Sequence, residues 1–225
     1  MEIPNSQLLP APDGRPRGVR PRGVRPRDAA TLVPLRRRRG TVEILMGRRA
    51  GKHRFMPNVY VFPGGRVDDG DHRVAPLSPL REDVHAHLAR ESGPARARAL
   101  AVAAVRETWE ETGLVLGDVQ GGKLRPSLDR LDYLIRAITP TESPIRFHAR
   151  FFAAQVHERD GTVQSNGELL DLEWRSVIEC LKLPVADITE YVLGNLDRLI
   201  DGRPPRSPVP LFSFRNGRMA IRGSA

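Results

Sequence analysis

The chain has one cysteine, Cys180, among its 225 residues, and it lacks any long apolar run. A single cysteine cannot form an internal disulfide, which excludes the disulfide-stapled secreted folds and fits a reducing compartment. The longest uninterrupted apolar stretch, 99–105, has seven residues, whereas a membrane-spanning helix needs roughly 20. Residues 1–30 also lack the apolar segment of a secretory signal. We therefore predict a cytoplasmic protein without a membrane partner.

Positive charge is concentrated near the amino-terminal end, although the formal net charge of the whole chain is +9. Ten arginines against three acidic residues give residues 1–40 a net charge of +7, which leaves about +2 for the rest of the chain. Residues 1–28 contain the repeat RPRGVRPRGVRPRD, a composition that cannot bury a core. We predict a disordered tail over 1–28 and favour a solvated leader over a tether for an anionic partner such as RNA.

The remaining residues, 29–225, alternate between patterns typical of strands and of helices. Runs rich in apolar and β-branched residues predict strands, and they cover 29–35, 41–49, 59–65, 146–156, 167–177 and a hairpin over 210–222 that turns at Asn216-Gly217. Helical patterns cover 79–92, 92–113 and 187–200. Strands interleaved with helices predict one α/β domain whose mixed sheet is covered on both faces.

The helix predicted over 92–113 ends in an unfavourable arrangement of charge. Pro94 suits its first position, and a glycine follows its last turn. Glu110 and Glu111 lie in the last turn, where the helix dipole disfavours each carboxylate by roughly 0.3 to 1 kcal/mol, and Glu107 lies three and four residues before them. They share one face and repel one another. Either they form a solvated acidic face, or they form a site for a hard divalent cation such as Mg²⁺.

The segment RETWEETGL, residues 106–114, resembles the second half of the Nudix signature. In that signature Gly-x5-Glu and seven further residues precede Arg-Glu-apolar-x-Glu-Glu-x-Gly-apolar, and Thr108 alone departs from the second half. The first half is found upstream, from Gly65 to Asp71, with Asp71 at the position of the glutamate. The halves are 34 residues apart instead of seven, so we predict an insertion over about 72–98. Insertion into a surface connection is tolerated because closure entropy grows slowly with length.

The FPGG motif, followed by this insertion, is similar to the coenzyme A diphosphatase branch of the Nudix enzymes. An Ile-Leu pair, Ala50 and Arg54 are in register with the pattern that precedes FPGG in coenzyme A hydrolases, whereas Asn58 replaces a glycine. The likeness extends over most of 29–200. It implies a Nudix-type α/β/α sandwich with a mixed β-sheet and a helical insertion before the catalytic helix.

The resemblance also implies chemistry, namely hydrolysis of a diphosphate bond with Mg²⁺ or Mn²⁺ as cofactor. Glu107 and Glu111, one helical turn apart, are the expected principal metal ligands. Glu110 is expected to be a further ligand or the catalytic carboxylate that orients or deprotonates water. Arg106 is expected to hold a glutamate in place rather than to touch the substrate.

Further residues are expected to bind the small-molecule diphosphate substrate. Gly64 and Gly65 allow a close approach to phosphates or metal because they have no Cβ, although a glycine pair is also simply a turn. Arg54 is expected to face a substrate phosphate, with a surface role as the alternative. Glu168 resembles a late acid that some Nudix enzymes direct at their metals, but we favour a solvated glutamate at a strand edge.

The favoured function is hydrolysis of coenzyme A or an acyl derivative. ADP-ribose or a dinucleotide is the alternative substrate. A non-catalytic Nudix domain that binds RNA through its tail is the alternative from another class, and the complete set of glutamates argues against it. Apart from that tail we expect no nucleic-acid partner. The insertion is a candidate lid or homodimer element.

Overall fold

The computed structural model describes residues 24–51, 57–199, 209–215 and 218–223. The strands are β1 (Arg27–Arg38), β2 (Thr41–Arg49), β3 (Tyr60–Val61), β4 (Gly64–Arg66), β5 (Gly117–Gln120), β6 (Lys123–Pro126), β7 (Asp132–Ile138), β8 (Phe147–Gln155), β9 (Leu169–Ser176), β10 (Leu211–Arg215) and β11 (Arg218–Arg222). The helices are α1 (Glu82–Ser92), α2 (Pro94–Thr112), α3 (Val177–Cys180), α4 (Asp187–Gly194) and α5 (Leu196–Leu199).

Nine of these strands form one mixed sheet. Its order is β11-β10-β7-β8-β1-β2-β3, with β4 paired to β1 and β9 paired to β2. The pairs β1–β8 and β7–β10 are parallel, and the other pairs in this sheet are antiparallel. Strands β5 and β6 make a separate hairpin. The predicted mixed sheet is confirmed.

Side chains from alternate positions of the strands build a core on each face of the sheet. In β8, Phe152 belongs to the core that α1 and α2 cover, and the neighbouring Phe151 belongs to the core that α4 covers. This alternation follows from the two-residue repeat of a strand. Helices therefore lie on both faces, which confirms the predicted α/β/α sandwich.

Helix α1 and the first turn of α2 fall within the predicted insertion, 72–98. Val84 and Leu88 of α1 are fully buried and share a core with Leu100 of α2. The segment therefore contributes to the main core and is not merely laid on the surface. Its description as an insertion stays a prediction.

Several predicted boundaries differ from the observed ones. Strand β1 begins at Arg27, inside the predicted tail, because Asp28 continues the parallel pairing with β8. The predicted strand over 59–65 is two short strands, since Pro63 cannot donate a ladder hydrogen bond. The predicted helix over 187–200 is divided into α4 and α5 at Asn195.

Other predicted features lie outside the described residues, namely most of the tail, 1–23, and the turn at Asn216-Gly217. Strands β10 and β11 pair as the predicted hairpin. Strands β5, β6 and β7 were not predicted. Among the described helices, none combines the length and the apolar character that crossing a membrane requires.

Candidate active site

Helix α2 has ends that fix the position of its acidic last turn. Pro94 occupies its first turn, and Gly113 follows its last residue with a φ of 73°. The Gly113 amide donates to the carbonyl of Trp109 at 2.8 Å, a left-handed cap that glycine adopts readily. Thr108, the residue that departs from the signature, is buried, and its hydroxyl donates to the Ala104 carbonyl at 2.8 Å. A threonine is therefore tolerated at this apolar position.

Glu111 is a buried carboxylate held by the FPGG loop. Its Oε2 accepts a hydrogen bond from the Gly64 amide at 2.9 Å. Burial raises the pKa of Glu111 to about 8, the nearby charge of Glu107 adds to this shift, and the Gly64 hydrogen bond opposes it. A carboxylate this costly to ionise gains more than an exposed one from a nearby cation.

Glu107 lies directly over Gly65. A Cβ added to Gly65 would collide with the Glu107 carboxylate, 2.6 Å from its Oε2. Burial raises the pKa of Glu107 too, against the lowering effect of Arg106. The absence of a side chain at Gly65 is thus what lets Glu107 lie against the loop, and both carboxylates meet the same two glycines.

Arg106 joins the two halves of the signature. Its Nε and Nη2 donate to the Asp71 carboxylate at 2.8 and 3.1 Å. Its Nη1 lies 3.0 Å from Oε1 of Glu107 and donates to Glu110 at 2.8 Å. Because one guanidinium contacts three carboxylates, it offsets part of their mutual repulsion. Arg106 thus contacts Glu107 and Glu110, and its expected role of holding a glutamate in place stays a prediction.

Asp71 is buried and completes a tight turn before the predicted insertion. It accepts a hydrogen bond from the Asp68 amide at 2.8 Å, and its own amide donates to the Asp68 carbonyl at 3.0 Å. The turn places the carboxylate within reach of Arg106 although aspartate is shorter than glutamate. The segment 65–71, which is predicted to be the first half of the signature, therefore lies beside Arg106 of the second half.

Glu110 differs from the other two glutamates of the helix. Its side chain is 44% exposed, and its hydrogen-bond donor is Arg106. Among the described residues, no set of three or more His, Cys, Asp or Glu side chains converges as a metal site would. The metal role of Glu110 stays a prediction.

The remaining pair, Glu107 and Glu111, fits a hard cation. Mg²⁺ is commonly bound by one or two carboxylates, with waters and substrate phosphates as its other ligands. Both carboxylates are buried or nearly so, have raised pKa values, and face a loop whose glycines leave room. The donor set is therefore chemically suited to Mg²⁺ or Mn²⁺, and these ligand roles stay predictions.

Two further charged residues act on Glu111. The positive charge of Arg49 lowers the pKa of Glu111, and the negative charge of Glu168 raises it. Arg49 ends β2 opposite Leu169, the residue that follows Glu168. Glu168 is exposed, which agrees with a solvated glutamate at a strand edge, yet it is close enough for its charge to act on Glu111. Sequence analysis missed Arg49, for which the only signal was a charged residue at the end of a buried strand. Arg54 lies outside the described residues.

Comparison with solved structures identifies similar folds. A crystal structure of a NUDIX hydrolase from Alicyclobacillus acidocaldarius is 28% identical, with 76% of this chain and 91% of that chain covered and a TM-score of 0.60. The NUDIX domain of Shewanella oneidensis NrtR, complexed with ADP ribose, is 13% identical, with 78% and 88% covered and a TM-score of 0.51. No protein-family model matches the chain, and neither does any curated protein. The prediction that this chain is an enzyme with the Nudix hydrolase fold is confirmed.

Proposed function

We propose that this chain, a hydrolase with the Nudix fold, cleaves a diphosphate bond in a nucleoside diphosphate linked to another moiety. The observation that carries the proposal is that two carboxylates of one helix meet the same glycine pair. Glu111 accepts a hydrogen bond from the Gly64 amide, and Glu107 lies against Gly65 where a side chain would otherwise be. Arg106 holds this arrangement together through Asp71. Structural stability alone does not explain two adjacent carboxylates that burial makes costly to ionise.

Each residue has a role in the proposed reaction. Glu107 and Glu111 would hold Mg²⁺ or Mn²⁺, which when bound polarises a phosphoryl oxygen and lowers the pKa of a coordinated water. The Gly64-Gly65 loop gives the diphosphate close access to the carboxylates. Glu110, more exposed than its neighbours, orients or deprotonates the attacking water. Arg106 positions Glu107 and Glu110.

Coenzyme A or an acyl derivative is the proposed substrate. The support is the partial match upstream of FPGG, in which Ala50 and Arg54 are in register, together with the long separation of the signature halves. Hydrolysis would release 3′,5′-ADP and a 4′-phosphopantetheine compound.

ADP-ribose is the second candidate substrate, since the NrtR domain from Shewanella oneidensis binds it. At 13% identity that likeness concerns the fold alone, and it does not favour ADP-ribose over coenzyme A. A dinucleotide is a further alternative. The alternative from outside the enzymes is a non-catalytic Nudix binding domain with an RNA-binding tail.

One assay tests the activity and the substrate together. The purified protein is incubated with coenzyme A, acetyl-coenzyme A, ADP-ribose or NADH, each with Mg²⁺ or Mn²⁺, and the products are identified by mass. We expect coenzyme A or its acetyl derivative to turn over fastest, and Glu111→Gln to lose most of the activity while Glu173→Gln, an exposed control, retains it. Faster turnover of ADP-ribose than of coenzyme A would overturn the substrate assignment. Turnover by Glu111→Gln equal to that of the wild type would overturn the metal-site assignment.

An electrophoretic shift assay tests the RNA alternative. Removal of residues 1–23 leaves Asp28 in place, and Asp28 pairs with the buried Arg150, so the shortened protein should fold. Equal weak binding of RNA by both forms would remove the tail as a nucleic-acid tether.

A further inference from the structure

A second cluster of charged side chains lies on the face of the sheet that α1 and α2 cover. This is the face on which Glu107 of α2 lies against Gly65. Its members lie on β1, β7 and β8 or on helix positions close to the α1–α2 turn, and they are Asp28, Glu91, Arg96, Arg136, His148 and Arg150. The register pairs Asp28 with His148 and Arg136 with Arg150, so the strand residues project from one face. The proposed diphosphatase reaction makes no use of this cluster.

Arg150 forms the floor of the cluster. Its side chain is only 2% exposed, and its Nη1 donates to Asp28 at 2.7 Å and to the His148 carbonyl at 2.8 Å. Its Nε is buried and has no hydrogen-bond partner among the described residues. A buried donor without a partner costs free energy and is rare in folded proteins.

Two neighbouring side chains have the same deficiency. Nε2 of His148 is buried without a partner in the described part of the chain. Nε of Arg136 lies 3.4 Å from the Glu91 carboxylate, yet its direction does not make a hydrogen bond. The Glu91 carboxylate instead accepts from the Tyr133 hydroxyl at 2.9 Å. Three polar atoms that can donate are thus gathered on adjacent strands.

The charges of the cluster favour an anion. The cluster contains three guanidinium groups and two carboxylates. Arg96 and Arg150 both pair with Asp28, and Arg136 pairs with Glu91. Burial and the charges of Arg150 and Arg136 lower the pKa of His148 to about 4. The excess is therefore one positive charge at neutral pH, in a place where guanidinium donors suit the geometry of an oxyanion.

The cluster is separate from the glutamate site. Ala30 of β1 lies between Gly65 on one neighbouring strand and Arg150 on the other. Ala30 is fully buried in the core that α2 covers. A buried position of β1 therefore separates the strand of Gly65, which lies against Glu107, from the strand of Arg150.

We propose that Arg150, Arg136 and His148 bind a small oxyanion of the phosphate class at a second site. The anion would reach them past Arg96, which is exposed, and Arg136, which is half-buried. It is either free inorganic phosphate or the phosphate of a nucleotide monoester. Because the ligands come from the neighbouring strands β7 and β8, the site exists only in the folded chain, and binding of the anion would stabilise the fold.

Thermal unfolding of the full chain in EDTA tests the site. Inorganic phosphate is titrated against sodium chloride of equal ionic strength, and AMP is titrated in parallel. At phosphate ten times the dissociation constant we expect the Tm to rise by roughly 3 to 6 °C. Arg150→Met should abolish the rise. A response to AMP as well identifies a monoester site, and a response to phosphate alone identifies a site for the free ion.

Matched variants separate the site from general stabilisation. Arg130 makes a two-point ion pair with Asp160, at 2.7 and 2.6 Å, so Arg130→Met should lower the Tm and keep the phosphate response. Arg136→Gln provides a second test if Arg150→Met does not fold. The imidazole ¹⁵N resonances of His148, assigned with His148→Gln, should shift when phosphate is added. No rise in Tm, or an equal rise in wild type and Arg136→Gln, overturns the proposal.

Discussion

At the scale of single residues, a side chain added at Gly64 would contact different atoms from a side chain added at its neighbour Gly65. A Cβ on Gly64 would lie 2.7 Å from Cα of Thr31 and close to the Ala30 carbonyl, both parts of the β1 backbone. A Cβ on Gly65 would instead meet the carboxylate of Glu107, the movable end of a flexible side chain. Substitutions at the two positions should therefore separate folding from catalysis.

We expect Gly65→Ala to lose activity with little loss of stability. The added methyl group displaces the Glu107 carboxylate, and misplacement of a catalytic group by about 1 Å costs roughly a hundredfold in rate. Gly64→Ala, the matched control, should lower the free energy of unfolding by roughly 1 to 3 kcal/mol because strand β1 cannot move aside. Turnover and urea unfolding measure the two effects. Full activity of Gly65→Ala would show that Glu107 does not work from its observed position.

Asp71 provides a second prediction at this scale. It is buried and makes both hydrogen bonds to the guanidinium of Arg106. Asp71→Asn removes the charge and leaves Arg106 with Glu107 and Glu110, so we expect a loss of about 2 to 3 kcal/mol, below the range for a fully broken buried pair.

The control for Asp71 is Asp68, 66% exposed and 3.9 Å from the same guanidinium. Asp68→Asn should change the free energy of unfolding by less than about 0.5 kcal/mol, because exposed ion pairs contribute little. Urea unfolding compares the two variants. Equal effects would mean that the Asp71 ion pair does not hold the halves of the signature together.

At the scale of elements, local signals decided which parts of the fold could be predicted. Helix α2 was readable because proline, a long apolar run and a terminal glycine agree with one another. Strands β5 and β6 have four residues each, too few for a periodic pattern to show. In β7, Arg136 interrupts the apolar run, and only its contacts with β8 and β10 explain why the segment is extended.

The site shows the same division between local and tertiary information. The spacing of Glu107 and Glu111 identified carboxylates one turn apart, and the glycine pair indicated only that the loop can approach a metal or phosphates closely. The bond from Arg106 to Asp71 joins residues 35 positions apart, and the influence of Arg49 on Glu111 depends on the pairing of β2 with β9. Neither could be read from spacing, because each depends on how the sheet places distant segments.

Helix α1 allows a test of whether its segment is a lid or part of the core. Leu88 is fully buried against the core that α2 shares, and we expect Leu88→Ala to lower the free energy of unfolding by about 2 to 5 kcal/mol. Leu77, in the same segment, is 48% exposed, and Leu77→Ala should cost about 1 kcal/mol or less. Chemical denaturation measures both. A small effect of Leu88→Ala would favour a mobile lid.

At the scale of the whole molecule, the buried glutamates make stability depend on pH and on metal. The pKa of Glu111 rises from its ordinary 4.5 to about 8 in the folded protein. Between these values the folded chain holds a proton that the unfolded chain has released. The stability that this group contributes is therefore complete below about pH 4.5 and is lost as pH rises through about 8.

We expect the metal-free protein to lose stability between pH 5 and pH 8 more steeply than its Glu111→Gln variant. A shift of this size corresponds to roughly 3 to 5 kcal/mol for an isolated group, and the raised pKa of Glu107 acts in the same direction. Urea unfolding in EDTA at both pH values measures the difference between the two proteins. Mg²⁺ should restore the wild type at pH 8 and leave the variant nearly unchanged, because a cation stabilises the ionised carboxylate that glutamine lacks. Parallel pH profiles, or an equal response to Mg²⁺, would mean that Glu111 is neither the group that destabilises the metal-free fold nor a ligand of the cation.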